Sequence, residues 1–261
     1  MTAPPTTATD YDYGVHYRVW HDETDAHAAA MAAWNAEILE QFVPSDRTAR
    51  CLDIGCGMGF ALLGLQRLGF QNVSGVDIDH SQVEAAVRRG LPVEQVVDTP
   101  AYLRQRPSEY DLVLMFDVLE HIAVAEQISM LRTVYASLRP GGRIVVQVPN
   151  ANSPLAARWR YIDFTHTSSF TEHSLAFVLA NAGFERVATP MQKDPGFPRF
   201  PRRFWRPDLW SGFAANFRRW FMRALWRQMC IAELGTGRGA DSVSLSLNIV
   251  AIAFKAGDSA I

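Results

Sequence analysis

The sequence predicts an α/β fold, a doubly wound and mostly parallel sheet with a closing antiparallel strand and a helical insertion. Three observations predict it. Short apolar runs alternate with stretches of helical periodicity, a glycine-rich turn joins the first run to the first helix, and no single crossover helix precedes the final run.

The elements follow in order. Cys51 to Ile54 is an apolar strand that stops at Gly55, and Phe60 to Leu68 repeats its apolar residues at helical spacing until Gly69. Before them, Ala28 to Phe42 reads as a helix. The strand-helix unit then recurs: Val73 to Val76, a helix over Ser81 to Arg89 ending at Gly90, then Val93 to Val97. Leu112 to Phe116 is the fourth strand, Ala125 to Leu138 a helix stopped by Pro140-Gly141-Gly142, and Ile144 to Val148 the fifth strand. Helices of this length between strands imply parallel pairing with right-handed crossovers. Ser174 to Ala182 is helical, while Phe184 to Thr189 and Val243 to Phe254 are strand-like. The stretch from Pro190 to Asp241 is a long insertion, a length that in compact domains belongs to lids or binding segments.

Composition narrows the functional classes. The chain has 261 residues, 48% hydrophobic and 20% charged, with 25 Lys and Arg against 27 Asp and Glu. That excludes disordered and fibrous chains and leaves no global positive field for a nucleic-acid backbone. Cys51, Cys56 and Cys230 make no paired framework, which points to a reducing compartment, and the opening MTAPPTTATD lacks the pattern of a secretory signal. A cytoplasmic protein is the expectation.

The segment LDIGCGMGF, Leu52 to Phe60, places Gly55, Gly57 and Gly59 where backbone passes close to a ligand. No Lys-Ser or Lys-Thr follows, so it is not a phosphate-cradling loop, and Phe60 stands where the dinucleotide fingerprint needs a small residue. Asp53, just before the turn, would repel a pyrophosphate. Asp77 ends the second strand about 20 residues on, where an acid grips ribose hydroxyls. Asp98 ends the third, placed to accept from an adenine amino group. These three carboxylates suit an adenosine that carries ammonium and sulfonium charge and no phosphate.

From Cys51 to Val187, and again in the last strand, the sequence resembles the class I S-adenosylmethionine-dependent methyltransferases. The resemblance rests on Asp-x-Gly-x-Gly-x-Gly at Asp53 to Gly59, GVDID at Gly75 to Asp79, VVD at Val96 to Asp98, YDLVLMFDVLEH at Tyr110 to His121 and LRPGGRIVVQVPN at Leu138 to Asn150. It implies a Rossmann-like fold and S-adenosyl-L-methionine as cofactor. Asp53 and the glycines would surround its methionine part, Asp77 and Ile78 its ribose side, Asp98 its adenine, with Phe116 and Asp117 near the methyl group. Asp79 reads instead as the cap of the helix that begins near Ser81. Tyr13, His16, Tyr17 and Trp20 would close over the cofactor or pack in the core, making residues 1–45 a tail with a covering helix and 46–261 the methyltransferase domain.

A hydroxyl acceptor needs a base, and two histidines are candidates. His121 follows the fourth strand, and His166 lies in RYIDFTHTSSFTEHSL with Asp163 three residues before it to orient the imidazole. Tyr161 is there for an acceptor or for packing, and His173 sits in a helix capped by Thr171. Asp117, Glu120 and His121 resemble a cluster that holds a divalent ion in some quinone-pathway O-methyltransferases, but metal-free relatives share it, and no metal is expected.

From Phe197 to Arg227 the insertion is rich in Arg and Trp. Phe213, Phe217, Trp220, Ala224 and Met229 fall near one helical stripe, and Arg219, Arg223 and Arg227 make another. Such a helix docks on the sheet, on a second copy of the chain, or on an anionic membrane surface at residues 197–227; nucleic acid is not an expected partner. The layout after the fifth strand is similar to methyltransferases of bacterial cell-surface polysaccharides. The expected activity is therefore O-methylation of a sugar hydroxyl in a glycan or its precursor, at the inner face of the membrane if the helix docks there. A small-molecule O-methyltransferase of quinone or secondary metabolism and a non-catalytic cofactor-binding scaffold are the alternatives.

Overall fold

The computed structural model describes residues 16–17, 19–190, 207–236 and 239–257, with side chains of the long insertion helix from 210 onward. Tyr13 and residues 197–206 of the basic insertion lie outside the described residues.

The chain forms α1 (Asp25–Leu39), β1 (Cys51–Ile54), α2 (Phe60–Arg67), β2 (Val73–Asp77), α3 (His80–Arg88), β3 (Val93–Gln95), α4 (Thr99–Arg104) and β4 (Tyr110–Phe116). A 3-10 turn at Leu119–His121 leads to α5 (Val124–Ser137) and β5 (Leu138–Pro149), then α6 (Ala156–Tyr161), α7 (Glu172–Asn181), β6 (Glu185–Ala188), α8 (Pro207–Leu234) and β7 (Asn248–Phe254). The described sheet has seven strands in the order β3-β2-β1-β4-β5-β7-β6. β1 through β5 pair in parallel, and β7 runs antiparallel to both β5 and β6, so the closing strand is where the missing crossover helix placed it.

Side-chain alternation along these strands divides the core into two layers. Leu52, Ile54, Val113, Met115 and Val146 pack with Leu131 and Val134 of α5 and Leu175 and Leu179 of α7. Cys51, Leu112, Leu114 and Val145 face the other way, onto Leu39 of α1, Leu62 and Leu65 of α2, and Val83 and Ala86 of α3. Each fully buried leucine contributes about 1.5–3 kcal/mol relative to exposure, which fixes the strand register and with it the strand ends that carry the polar residues.

Four boundaries depart from the periodicity. β3 ends at Gln95 rather than Val97, because Val96 N turns to Asp77 O and Asp98 already caps the next helix. α1 starts at Asp25 because the Thr24 side chain accepts from His27 N, a cap that the alanine run conceals. β5 begins at Leu138 and runs past Pro140-Gly141-Gly142: Tyr110 pairs with Leu138 and Leu112 with Arg143, so Arg139 to Gly142 are extruded opposite Asp111. Arg139 Nη1 holds that bulge by donating to Asp111 Oδ2 at 2.8 Å. β7 is confined to Asn248–Phe254, because Ser244 and Ser246 offer their carbonyls to Asn150 Nδ2, both at 2.8 Å, instead of to a ladder.

Candidate active site

The carboxyl ends of β1, β2, β4 and β5 open onto one cavity of about 1780 Å³. Asp53, Gly55, Gly57, Asp77, Ile78, Phe116, Asp117, His121, Asp163 and His166 of the expected site residues all line it. Gly59 stands behind the loop as the residue before α2, at φ +82°. Asp98 is placed differently. Its carboxylate accepts from Ala101 N at 2.8 Å and caps α4, and its neighbours Val97 and Thr99 reach the cavity instead. Asp79 caps α3 through Ser81 N and Gln82 N, and Thr171 caps α7 in a reciprocal box with Ser174, as the sequence predicts for both.

In the cofactor half, Gly57 has φ +52°, and a Cβ there would lie 2.8 Å from the Tyr17 hydroxyl. Gly57 N donates to Asp77 Oδ2 and Asp79 N to Asp77 Oδ1, each at 2.8 Å, so the Asp77 carboxylate ties the loop to the end of β2. Burial pushes the Asp53 carboxyl well above the usual carboxylate range, helped by the charge of Asp77, and burial raises Asp77 too. Asp117, in the left-handed region at φ +55°, is pushed up to about 6 by burial against a lowering hydrogen bond from Gln147 Nε2. Desolvated carboxyls gathered in one crevice are a site that gains from a positively charged ligand. Beside them Ile78 and Val97 line the cavity at 59% and 63% exposure, apolar surface open to a flat ring. Charge and shape together fit an adenosine bearing a sulfonium and an ammonium.

The other half is assembled by backbone contacts across the sheet end. Thr167 N donates to Glu120 O at 2.7 Å, its hydroxyl donates to Ile122 O at 2.7 Å, and Gln127 Nε2 donates to Leu119 O at 3.1 Å and across to Ser168 Oγ at 2.8 Å. These bonds bring the His121 and His166 rings to 4.6 Å between centroids, edge to face. The charge of Asp163 acts on His166 against the lowering by burial, and its Oδ2 lies 3.5 Å from His16 Nε2. Its Oδ1 accepts from both Thr165 N at 2.8 Å and Thr165 Oγ1 at 2.6 Å, a local Asx turn, and Thr165 Oγ1 lies 2.7 Å from His121 Nδ1. Asp163 thus acts on His121 through Thr165, a residue that sequence reading passes over although the Asp-x-Thr spacing marks the turn.

The hydrogen bonds also decide the tautomers. A hydroxyl has one proton; Thr165 donates it to Asp163 and must accept from His121, so His121 carries its proton on Nδ1. His166 Nδ1 faces the carbonyl of Trp159 at 3.0 Å and must donate there. Both rings therefore keep the lone pair on Nε2. Burial lowers His121 to about 4, the neighbouring His166 adding to it, and burial lowers His166 as well, so both are neutral near pH 7.

Glu120 is fully buried between these halves, and neither of its carboxylate oxygens has a hydrogen-bond partner. Glu120, His121 and His166 each bring one donor atom within 4.8 Å of the others, a set with the chemistry to hold a divalent cation. Burial, then the charge of Asp117, raises Glu120 well above its ordinary value of 4.5. Between that value and the raised one the folded chain holds a proton that the unfolded chain has released, so stability is lost as pH rises. Glu120→Gln cannot ionise. Its melting temperature is expected to gain on the natural protein from pH 5 to pH 8, at roughly 2–4 °C per kcal/mol, in paired thermal melts. A difference that stays constant with pH contradicts the buried protonated carboxyl.

A model of the family described as methyltransferase domain matches residues 25–189. A ubiquinone biosynthesis O-methyltransferase of Aeromonas salmonicida is 32% identical over 108 residues, 40% of this chain and 44% of that protein. One of Yersinia pestis is 30% identical over 109 residues, again 44% of its length, so the chain spans under half of the curated relatives it matches. A solved methyltransferase of Archaeoglobus fulgidus superposes with a TM-score of 0.61 at 20% identity, covering 86% of this chain and 94% of that one, which is a likeness of fold.

Proposed function

The chain belongs to the methyltransferase-domain family, as a class I S-adenosylmethionine-dependent enzyme, and on that premise we propose that it methylates a phenolic hydroxyl of a quinone-type small molecule, with His121 or His166 as base. S-adenosyl-L-methionine supplies, when bound, a methyl group already activated on sulfur. Asp53, Asp77 and the Gly55 to Gly59 loop would hold it, with Ile78 and Val97 beside the base. The protein's own work is to orient the acceptor oxygen, exclude water and take one proton.

The observation that carries the reading is the pair of neutral imidazoles with Nε2 unprotonated, one fixed by Thr165 and one by the Trp159 carbonyl. As the acceptor oxygen takes the methyl group, its proton passes to Nε2. The acidity of the hydroxyl then separates the acceptor classes. A histidine lowered to about 4 is a weak base, about six units from a phenol near 10 and further still from a sugar hydroxyl, which is a weaker acid than a phenol. Each unit is about 1.4 kcal/mol of proton-transfer cost, so the difference favours the phenol. Trp20, Phe116, Trp159 and Phe164 line the cavity and suit a flat ring. The names of the curated relatives point the same way. The sugar hydroxyl expected from the layout after β5 becomes the comparison arm of the test.

Protein incubated with methyl-labelled cofactor is offered two acceptor sets, dihydroxyarenes with and without an isoprenoid tail, and saccharide precursors of surface glycans. The expected result is a gain of one methyl on the arenes, read by mass spectrometry. Transfer to saccharides alone overturns the phenolic reading, and cofactor binding without transfer to either set, or to any cell extract, favours the scaffold.

A further inference from the structure

We propose that α8 docks this protein on an anionic phospholipid surface, presenting the cavity rim to the bilayer. The inference goes beyond the acceptor chemistry and rests on a different part of the molecule.

α8 has two faces of unlike character. Phe213, Trp220 and Ala224 are half-buried, and Arg227 Nη1 donates to Val243 O at 2.8 Å and to Ala240 O, anchoring this side to the 3-10 turn at Ala240–Ser242. Of the stripe expected from the sequence only Met229 turns to the opposite face; Phe217 stays at the edge of the anchored one, its ring 6.1 Å from Phe213 and 5.7 Å from Trp220 between centroids. On the opposite face Phe221, Leu225 and Met229 recur at four-residue spacing, with Met222 beside them, and are 46% to 52% exposed. Water-facing apolar area of this kind on one helix needs a partner.

Charge decides which partner. The acids of the helix stand only at its ends, Asp208 and the exposed Glu233, while Arg218 and Arg219 are exposed beside the apolar stripe and Arg223 and Arg227 lie further along. Two copies crossing at the middle of this face would set Arg218 and Arg219 against their equivalents with Glu233 a turn or more away, so self-association is disfavoured there. An anionic headgroup layer satisfies both features at once: the arginines meet phosphates, and Phe221, Leu225 and the two methionines enter the acyl boundary. No helix among the described residues is long and apolar enough to cross a membrane, so α8 lies on the surface.

The placement gives docking a purpose. The turn that anchors α8 continues into Ser244 and Ser246, which hold Asn150 at the end of β5, and then into Asn248, which lines the cavity. Tyr161 and Phe164, each 76% exposed, stand on the segment that carries His166, with Arg158 and Arg160 next to them. The rim thus repeats the helix's own combination of exposed aromatics and arginine.

The test is flotation of the whole protein with vesicles of phosphatidylcholine, with and without about one-third phosphatidylglycerol. Expected is co-flotation with the anionic vesicles, at least about tenfold above neutral ones, weakened in high salt. Arg218→Glu with Arg219→Glu, and separately Phe221→Ser with Leu225→Ser, are each expected to reduce it by about tenfold while leaving melting temperature and cofactor binding unchanged. Absence of flotation, flotation indifferent to both double variants, or light scattering that shows a dimer broken by Phe221→Ser with Leu225→Ser overturns the proposal. None of these outcomes depends on which hydroxyl is methylated.

Discussion

His121→Ala is expected to lower kcat by about 100- to 10,000-fold, the usual contribution of a positioned general base, with cofactor affinity nearly unchanged. The expectation follows from the chain Asp163, Thr165, His121, in which two short hydrogen bonds settle where the imidazole proton resides. Thr165→Val removes that chain and leaves the ring free to adopt the other tautomer. It is expected to lower kcat by about tenfold with KM little changed, and Thr165→Ser is expected to restore it. Acidity supplies a second readout. Since burial holds His121 near 4, the base stays neutral as pH falls and activity is lost only below about pH 5, not near the ordinary histidine value of 6.5. Stopped assays with the labelled cofactor measure all three. If His121→Ala keeps full activity while His166→Ala loses it, the base is His166, and if both keep it the imidazole mechanism is wrong.

Gly55→Ala is the other large effect, expected to lower kcat/KM by at least about 30-fold. Gly55 has φ +68°, a region that costs a side chain about 1–2 kcal/mol, and its Cβ would collide with Val118 Cγ2. Overpacking of that kind adds about 1–3 kcal/mol. The sum, about 2–5 kcal/mol, corresponds to roughly 30-fold to several-thousand-fold if it falls on the reaction. Val118 lies between Asp117 and the turn that carries Glu120 and His121, so the damage passes from the cofactor loop to the base. Calorimetry with the cofactor and an assay at saturation separate the two parts. A variant with natural affinity and natural kcat shows that the loop tolerates a methyl group and that the contact is soft.

How much of this was legible in the sequence depends on how local the determining contacts are. Strand and helix alternation, the glycine turn and the carboxylates at strand ends are set by neighbours within a few residues, and Asp53, Asp77 and Asp117 line the cavity as their positions imply. Asp98 shows the limit of that reasoning. The third strand ends at Gln95, three residues short of Asp98, and the backbone of α4 takes the carboxylate as a cap. The bond from Thr165 to His121 spans two segments that only the sheet brings together, so no local pattern announces it. The same holds for the faces of α8: periodicity shows that stripes exist, but the anchoring bonds of Arg227 decide which one turns inward.

β7 comes later in the chain than every other described strand, yet it lies between β5 and β6 rather than at the rim of the sheet. During synthesis, β5 and β6 emerge from the ribosome with open backbone edges and wait until residues up to Phe254 have followed. Nascent chains stalled before that point would be the ones most prone to stray pairing and the ones in greatest need of chaperones.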